Sequence, residues 1–325
     1  LAAQMISNAT EDTTAAQIAV LIPCYNEQTT IRAVVQDFAA HLPGASIYVF
    51  DNNSSDATIE LAREAGATIR SVRLQGKGNV VRRMFADVDA DVYVVVDGDD
   101  TYDAADAPAF VDRLLAEDLD MVVGARVSDE DAAYRRGHRF GNVMLTRFAA
   151  HIFGNSFSDM LSGYRVFSRR FAKSFAAHSR GFEIETELAV HALELRMPVE
   201  EMQTRYKSRP EGSASKLNTY RDGARILFMT LRLFKAEKPL VFFSIGFAIC
   251  ALASIVLAVP VLQTFVETGL VPRLPTALLC AALMLFGALL LVCGLVSDTI
   301  TRGRAEAKRL VYLSFREPSQ QRRAR

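Results

Sequence analysis

Two stretches near the C-terminus, residues 240–262 and 276–296, carry no charged side chain. Uncharged runs of about 20 residues are long enough for helices that cross a bilayer, and a soluble hairpin rarely needs two in succession. Pro260 lies near the end of the first run, where a spanning helix tolerates it. Arg225, Arg232, Lys235 and Lys238 precede the first run, and Arg302, Arg304, Lys308 and Arg309 follow the second. The 263–275 connection has only Arg273 as a basic residue. That asymmetry predicts two transmembrane helices with both chain ends cytoplasmic. Ahead of them, Ile226, Leu227, Leu231 and Phe234 alternate with Arg221, Arg225, Arg232 and Lys235. This pattern predicts an amphipathic juxtamembrane helix over 216–238, lying in the interface plane.

The residues before it follow a different rule. Short apolar runs at 18–22, 47–50, 92–96 and 121–123, with a further strand expected at 68–72, alternate with helix-period segments at 31–38, 57–65, 79–88 and 108–117. Such alternation is the α/β signature, and the nearly all β-branched 92–96 run suits a strand covered on both faces. Further on, helices are expected at 142–153 and 185–195, and a strand at 199–206. The expected organisation is a disordered lead-in (1–17), an α/β domain (18–215), the amphipathic helix (216–238), two spans (239–298) and a basic cytoplasmic tail (299–325). The 37 acidic and 37 basic side chains balance, so net charge names no partner. Four scattered cysteines make no disulfide framework, and five histidines show no metal-ligand spacing.

The chemistry gathers where strands end. Open α/β sheets present ligands at the carboxyl ends of their strands. Here those ends read Pro23-Cys24-Tyr25-Asn26-Glu27, Asp51-Asn52-Asn53-Ser54-Ser55-Asp56, Gln75-Gly76-Lys77-Gly78-Asn79, Asp97-Gly98-Asp99-Asp100 and Gly124-Ala125-Arg126. Five polar ends facing one crevice make a site. The three carboxylates within residues 97–100 repel one another unless a cation neutralises them, and a hard divalent ion with oxygen ligands answers that need. They are not an EF-hand loop, because Tyr102 stands where its glycine belongs and Pro108 where its glutamate belongs. Gly76-Lys77-Gly78 opens a helix and makes an anion site through free backbone N–H groups. Asp51 and Asp56 can take hydrogen bonds from a base or ribose, or serve as turn and cap carboxylates.

Val20-Leu21-Ile22-Pro23-Cys24-Tyr25-Asn26-Glu27, Asp51 to Thr58 and Asp97-Gly98-Asp99 together resemble the family 2 glycosyltransferases with a GT-A fold. Asp159-Met160-Leu161-Ser162-Gly163-Tyr164-Arg165 and the 209–216 stretch narrow the resemblance to the polyprenyl-phosphate hexosyltransferase branch. That branch includes dolichyl-phosphate mannose synthases and bacterial undecaprenyl-phosphate sugar transferases. The resemblance implies a Rossmann-like nucleotide-sugar-binding domain in which Pro23, Tyr25, Asn26, Glu27, Asp51, Asn53, Asp56, Gly76, Lys77, Gly78 and Asp97 hold the donor. Asp97 and Asp99 match the Asp-x-Asp that holds diphosphate through Mg2+ or Mn2+. Arg126 and Lys216 join them as catalytic, charge-stabilising residues. Arg135, Arg139, Ser162, Arg165, Arg209 and Ser213 match acceptor-phosphate positions. Mannose synthases commonly read Asp-Ala-Asp-Leu-Gln, whereas this chain has Gly98 and then Asp100-Thr101.

The implied activity is an inverting, metal-dependent transfer of a hexosyl group to polyprenyl phosphate, undecaprenyl phosphate in a bacterial-type inner membrane, for cell-envelope glycan assembly. A UDP-sugar is the preferred donor and a GDP-sugar the second choice. The partners are a nucleotide sugar, the lipid and the membrane, with a homo-oligomer open through the helices flanking the spans and no role for nucleic acid. Two other readings compete. One is a membrane glycosyltransferase acting on a glycolipid or polysaccharide hydroxyl, whose Gln-x-x-Arg-Trp-type motif is absent from a chain without tryptophan. The other is a non-enzymatic nucleotide-sugar-binding subunit.

Overall fold

In the run Ile18-Ala-Val-Leu-Ile-Pro-Cys24, successive side chains enter different apolar layers. The computed structural model describes residues 16–127, 157–177, 181, 183–207, 231–232 and 234–318. There, Val20, Ile22 and Cys24 pack in one core and Ala19 and Leu21 in the other. A strand covered on both faces has no polar side, so its sequence is continuous rather than alternating. This strand is β1 (Ile18–Cys24), and it lies inside a seven-stranded sheet of order β3-β2-β1-β4-β6-β5-β7.

The remaining strands are β2 (Ser46–Asp51), β3 (Thr68–Ser71), β4 (Val92–Val95), β5 (Met121–Val127), β6 (Arg165–Ser168) and β7 (Val199–Arg205). Strands β1 to β4 run parallel. The chain steps outward from β1 to β2 and β3, then returns to place β4 on the other side of β1. Strand order therefore reverses between β1 and β4, the position where such sheets open a ligand crevice. The helices are α1 (Ile31–His41), α2 (Thr58–Glu64), α3 (Lys77–Asp87), α4 (Ala107–Ala116), α5 (Arg169–Ser174) and α6 (Ile184–Glu194). Phe38 of α1 and Phe110 and Leu114 of α4 fill one core; Met84 of α3, Phe171 of α5 and Leu188 of α6 fill the other.

Strand β6 departs from the sequence expectation. It runs antiparallel between β4 and β5, pairing Val94 with Val166 and Val122 with Val166. Because it intervenes, β5 stays parallel to β4, and the end of β5 reaches the same edge as the other carboxyl ends. Behind the sheet, fully buried Asp120 accepts hydrogen bonds from Ser168 Oγ (2.6 Å), Arg170 Nε and Tyr312 Oη (2.8 Å). At the start of the described chain, the Gln17 amide donates to Asp91 (3.0 Å).

The chain divides into two compact units, residues 1–223 with 308–325, and residues 224–307. The second holds α7 (Pro239–Thr268) and most of α8 (Leu274–Leu313), both long and apolar enough to cross a membrane. Their apolar side chains are largely exposed, as at Leu252 (64 %) and Val266 (83 %). Within that unit the helices approach through small residues: a Cβ on Gly294 would lie 3.0 Å from Phe243 Cβ, and one on Gly287 3.1 Å from Cys250 Cβ. Small interfacial residues let helices approach closely where lipid leaves little hydrophobic drive. Helix α8 runs past the expected span, because Arg304 to Leu313 contains strong helix formers and no proline. The expected helix at 142–153 and most of the amphipathic helix at 216–238 lie outside the described residues.

Candidate active site

The loop after β1 and the loop after β2 are stitched together. The Asn26 amide donates to Ser54 Oγ (2.9 Å), and the Ser55 amide donates back to Asn26 Oδ1 (2.8 Å). The Glu27 amide donates to Thr58 Oγ1 (2.9 Å) and the Gln28 amide to Asp56 (3.2 Å). Asn26, Asn53 and Asp100 have left-handed backbones, with φ of 55°, 67° and 56°. Asn and Asp tolerate that region better than other non-glycine residues. Burial pushes Asp56 upward, but hydrogen bonds from the Thr58 hydroxyl and amide and from Gln28 outweigh it and hold the carboxyl below its ordinary range.

Asp51 and Asn52 carry the stitching to the next loop. Asp51 is 3 % exposed and accepts the amides of Asn53 and Ser54, both at 3.2 Å. Asn52 donates to the Val72 and Leu74 carbonyls and accepts the Gly76 amide (2.6 Å). Gly76 has φ 123°, a conformation closed to side-chain-bearing residues, and it turns the chain into α3. Asn52 is therefore a site-building residue that the sequence reading passed over; its partners lie twenty or more residues away.

Lys77, first residue of α3, connects this rim to the carboxylates. Its Nζ donates to Asp97 Oδ1 (2.6 Å) and pairs with Glu185 Oε1 of α6 (2.5 Å). Burial alone would lower its pKa, but the two carboxylates outweigh burial and raise it, so the ammonium stays charged. Asp97 is fixed from the other side by Gly163, where an added Cβ would lie 2.2 Å from Oδ2. The Gly163 amide in turn donates to Tyr102 Oη (2.8 Å). Asp99 accepts from Thr101 Oγ1 (2.6 Å), so the residue that breaks the mannose-synthase pattern holds the second carboxylate. Thr30 Oγ1 donates to the Gly98 carbonyl (2.7 Å), fixing the turn between them. Beneath lies Cys24, whose thiol is pushed up first by burial and then by Glu27, Asp51, Asp97 and Asp99, and so stays protonated.

The site thus gathers Pro23 to Glu27, Asp51 to Asp56, Gly76 to Gly78, Asp97 and Asp99 at one sheet edge. Arg126 is at the end of β5, held by Asp159 through two hydrogen bonds (2.6 and 2.8 Å) with its guanidinium over the Tyr206 ring. Two residues assigned to acceptor phosphate have other work. Arg165 is 2 % exposed and donates to the carbonyls of Ser162 (3.1 Å) and Met160 (2.6 Å). Ser162 is fully buried and donates to the Gly124 carbonyl (2.6 Å). A buried arginine must satisfy its donors locally, and these two residues shape the loop that presents Gly163 to Asp97. Arg135, Arg139, Arg209, Ser213 and Lys216 lie outside the described residues.

The carboxylate pair suits a hard cation. Among the described residues no set of three His, Cys, Asp or Glu side chains is placed to hold a metal ion. One or two carboxylates completed by phosphate and water oxygens is how Mg2+ is commonly held. The ammonium of Lys77 on Asp97 marks where positive charge is already required.

The chain is similar to known proteins along most of its length. The description "Glycosyl transferase family 2" matches residues 19–175. Glycosyltransferase AglJ of Haloferax volcanii is 37 % identical over 300 residues, covering 91 % of this chain and 98 % of that protein. A dolichyl-phosphate hexose transferase of the same organism is 28 % identical over 209 residues, covering 64 % of this chain and 90 % of that protein. Among solved structures, glucosyl-3-phosphoglycerate synthase of Mycobacterium tuberculosis in complex with Mn2+, UDP and phosphoglyceric acid superposes with TM-score 0.53. Its identity is 20 %, covering 68 % of this chain and 78 % of that chain, which shows the fold alone. An intact carboxylate pair at the strand-order reversal of a GT-A sheet, with a relative matched along nearly its whole length, makes this chain an enzyme of glycosyltransferase family 2.

Proposed function

We propose that the enzyme transfers a hexosyl group, with inversion, from a nucleotide diphosphate sugar to a polyprenyl phosphate such as undecaprenyl phosphate. The observation that carries this reading is Asp97, held at the crevice between the Lys77 ammonium and Gly163 with Asp99 fixed beside it. The two long apolar helices, and the relative named for dolichyl-phosphate hexose transfer, support a lipid acceptor. We place the catalytic domain and both chain ends on the cytoplasmic side of a bacterial-type inner membrane, from the basic flanks of the spans.

A lipid monophosphate has its second pKa near ~6, so it attacks without a general base. What remains is to hold two anionic phosphate groups together and stabilise the charge that develops on the leaving nucleoside diphosphate. Asp97 and Asp99 would hold Mg2+ or Mn2+, which when bound supplies Lewis-acid stabilisation of that leaving group. Lys77 brings a buried, charged ammonium to the same edge. Asn52, Asp51 and the stitched loops after β1 and β2 keep the nucleotide side of the crevice rigid, so little reorganisation accompanies binding. Arg126, Arg139 and Lys216 complete the proposed phosphate-binding set. Inversion corresponds to one in-line displacement, giving a β-linked product from an α-linked donor. A UDP-sugar is the first choice of donor.

Membranes containing the enzyme, supplied with undecaprenyl phosphate, Mg2+ or Mn2+ and a panel of UDP- and GDP-sugars, test this. Formation of a lipid-linked hexose from one donor is the expected result. Transfer only to a glycolipid or polysaccharide hydroxyl overturns the acceptor assignment. We expect Asp99→Asn to fold normally, because the amide oxygen can still accept from Thr101, but to lose transfer. Normal turnover by that variant would remove Asp99 from the metal site.

A further inference from the structure

We propose that Glu185 reads the sugar of the donor, its Oε2 accepting a hydrogen bond from a hexose hydroxyl. The inference rests on the nucleotide-sugar reading above and adds a contact with the part of the donor that distinguishes one hexose from another. Glu185 stands in the first turn of α6 and is 6 % exposed. Its two oxygens are used unequally. Oε1 pairs with Lys77 Nζ at 2.5 Å, whereas Oε2 is buried with no hydrogen-bond partner among the described residues. A carboxylate oxygen buried without a donor is costly, and most buried polar atoms are satisfied, so an orphan next to a ligand crevice points to a ligand group.

The chemistry of that group follows from its neighbours. One ammonium serves both Asp97 and Glu185, so Glu185 lies one lysine away from the carboxylate assigned to the diphosphate end of the donor. A phosphate oxygen has no proton to give and would be repelled. A hexose joined to that diphosphate carries O–H donors, which a carboxylate accepts. Because Oε2 is buried, a ligand reaches it only if its surroundings shift, and the Lys77 bridge to Oε1 is a contact a ligand can compete for. A diphosphate, which attracts the same ammonium, supplies that competition. Binding of the sugar at Glu185 is therefore coupled to binding of the diphosphate, and Lys77 links the two.

The test compares binding with and without the sugar. The purified full chain in detergent with Mn2+ is titrated with UDP and UDP-glucose, and with GDP and GDP-mannose, alongside Glu185→Gln, Glu185→Asp and Lys77→Met. Loss of a hydrogen bond to a charged group corresponds to roughly a tenfold or greater loss of affinity. We expect Glu185→Gln to lose that much for the nucleotide sugar while binding the nucleoside diphosphate as before. Lys77→Met should weaken both alike. Equal weakening of both ligands by Glu185→Gln would make Glu185 only a support for Lys77 and overturn the proposal. Glu185→Asp, which keeps the charge but withdraws the oxygens, answers the same question if Glu185→Gln does not fold. A wild-type enzyme that binds the nucleotides but none of the sugars would instead overturn the donor reading itself.

Discussion

Gly98 is the residue between the two site carboxylates, and its smallness has a local cause. A Cβ there would lie 2.7 Å from Cys24 Sγ and 3.4 Å from Ile22 Cγ2. The thiol at the end of β1 thus occupies the volume that an Asp-Ala-Asp sequence would use. Gly98→Ala should push the 97–99 turn off the sheet edge, cost about 1–3 kcal/mol through overpacking, and impair transfer. Cys24→Ala in the same chain should restore most of both, since it removes the obstructing sulfur. Thermal unfolding and turnover of the two single variants and the double variant measure the coupling. Additive losses in the double variant would show that the thiol is not the obstruction. The carboxylates at 97 and 99 were legible in the sequence because charge cannot crowd at a strand end without a partner. What holds them was not legible. Gly163, Asn52, Thr30 and Glu185 meet the site from distant segments, and nothing local in Ile184-Glu185-Thr186 distinguishes a ligand-facing glutamate from a solvated helix residue.

At the scale of elements, β1 and β4, buried along nearly their whole length, announced themselves as continuous apolar runs, and of the seven strands β6 alone was not expected. Strand β6 was hidden by its shortness and its first residue. Arg165-Val-Phe-Ser168 opens with a guanidinium that nothing in the local pattern would bury, and its donors are met by the Met160 and Ser162 carbonyls rather than by a sequence neighbour on the strand. Helix α6 carries a second consequence of burial. His191 is 1 % exposed, its Nε2 lies 3.1 Å from Ser174 Oγ, and its ring meets Phe171 and Phe175 edge-on. Burial first, and the Lys308 charge second, lower its pKa from 6.5 to about 3. The unfolded chain therefore takes up a proton below about pH 6.5 that the folded chain refuses. The stability associated with neutral His191 is fully present above that pH and is lost as pH falls toward 3. The loss approaches ~1.4 kcal/mol per pH unit within the window. Unfolding of the detergent-solubilised protein between pH 7 and 4 should show that slope, and His191→Gln should flatten it by about that amount. An identical slope in the variant would place the acid sensitivity elsewhere.

For the whole molecule, an α/β unit and a pair of lipid-length helices are joined in one chain, and the basic flanks of those helices are the ground for the proposal that both ends are cytoplasmic. Helix α8 has 40 residues, about 60 Å at 1.5 Å per residue, twice the ~30 Å hydrocarbon thickness. Its residues 274–297 are uncharged, and Asp298, paired to Arg302 (2.8 Å), opens the charged remainder, which suits a helix that would extend beyond an apolar layer. Lys308 and Tyr312, in its last turns, belong to the same unit as Glu194 and Asp120, to which they bond (2.7 and 2.8 Å). If that unit is cytoplasmic, the short turn around Gly269 and Val271 is on the opposite face, with Arg273 its sole basic residue. A Val271→Cys variant should then react with a membrane-impermeant maleimide added outside intact spheroplasts. A cysteine placed at Ser314 should react only after the membrane is opened, and the parent chain with its native cysteines gives the background. Labelling of Ser314→Cys from outside, with Val271→Cys protected, would invert the topology and leave the nucleotide-sugar crevice on the side away from the cytoplasmic pool of donors.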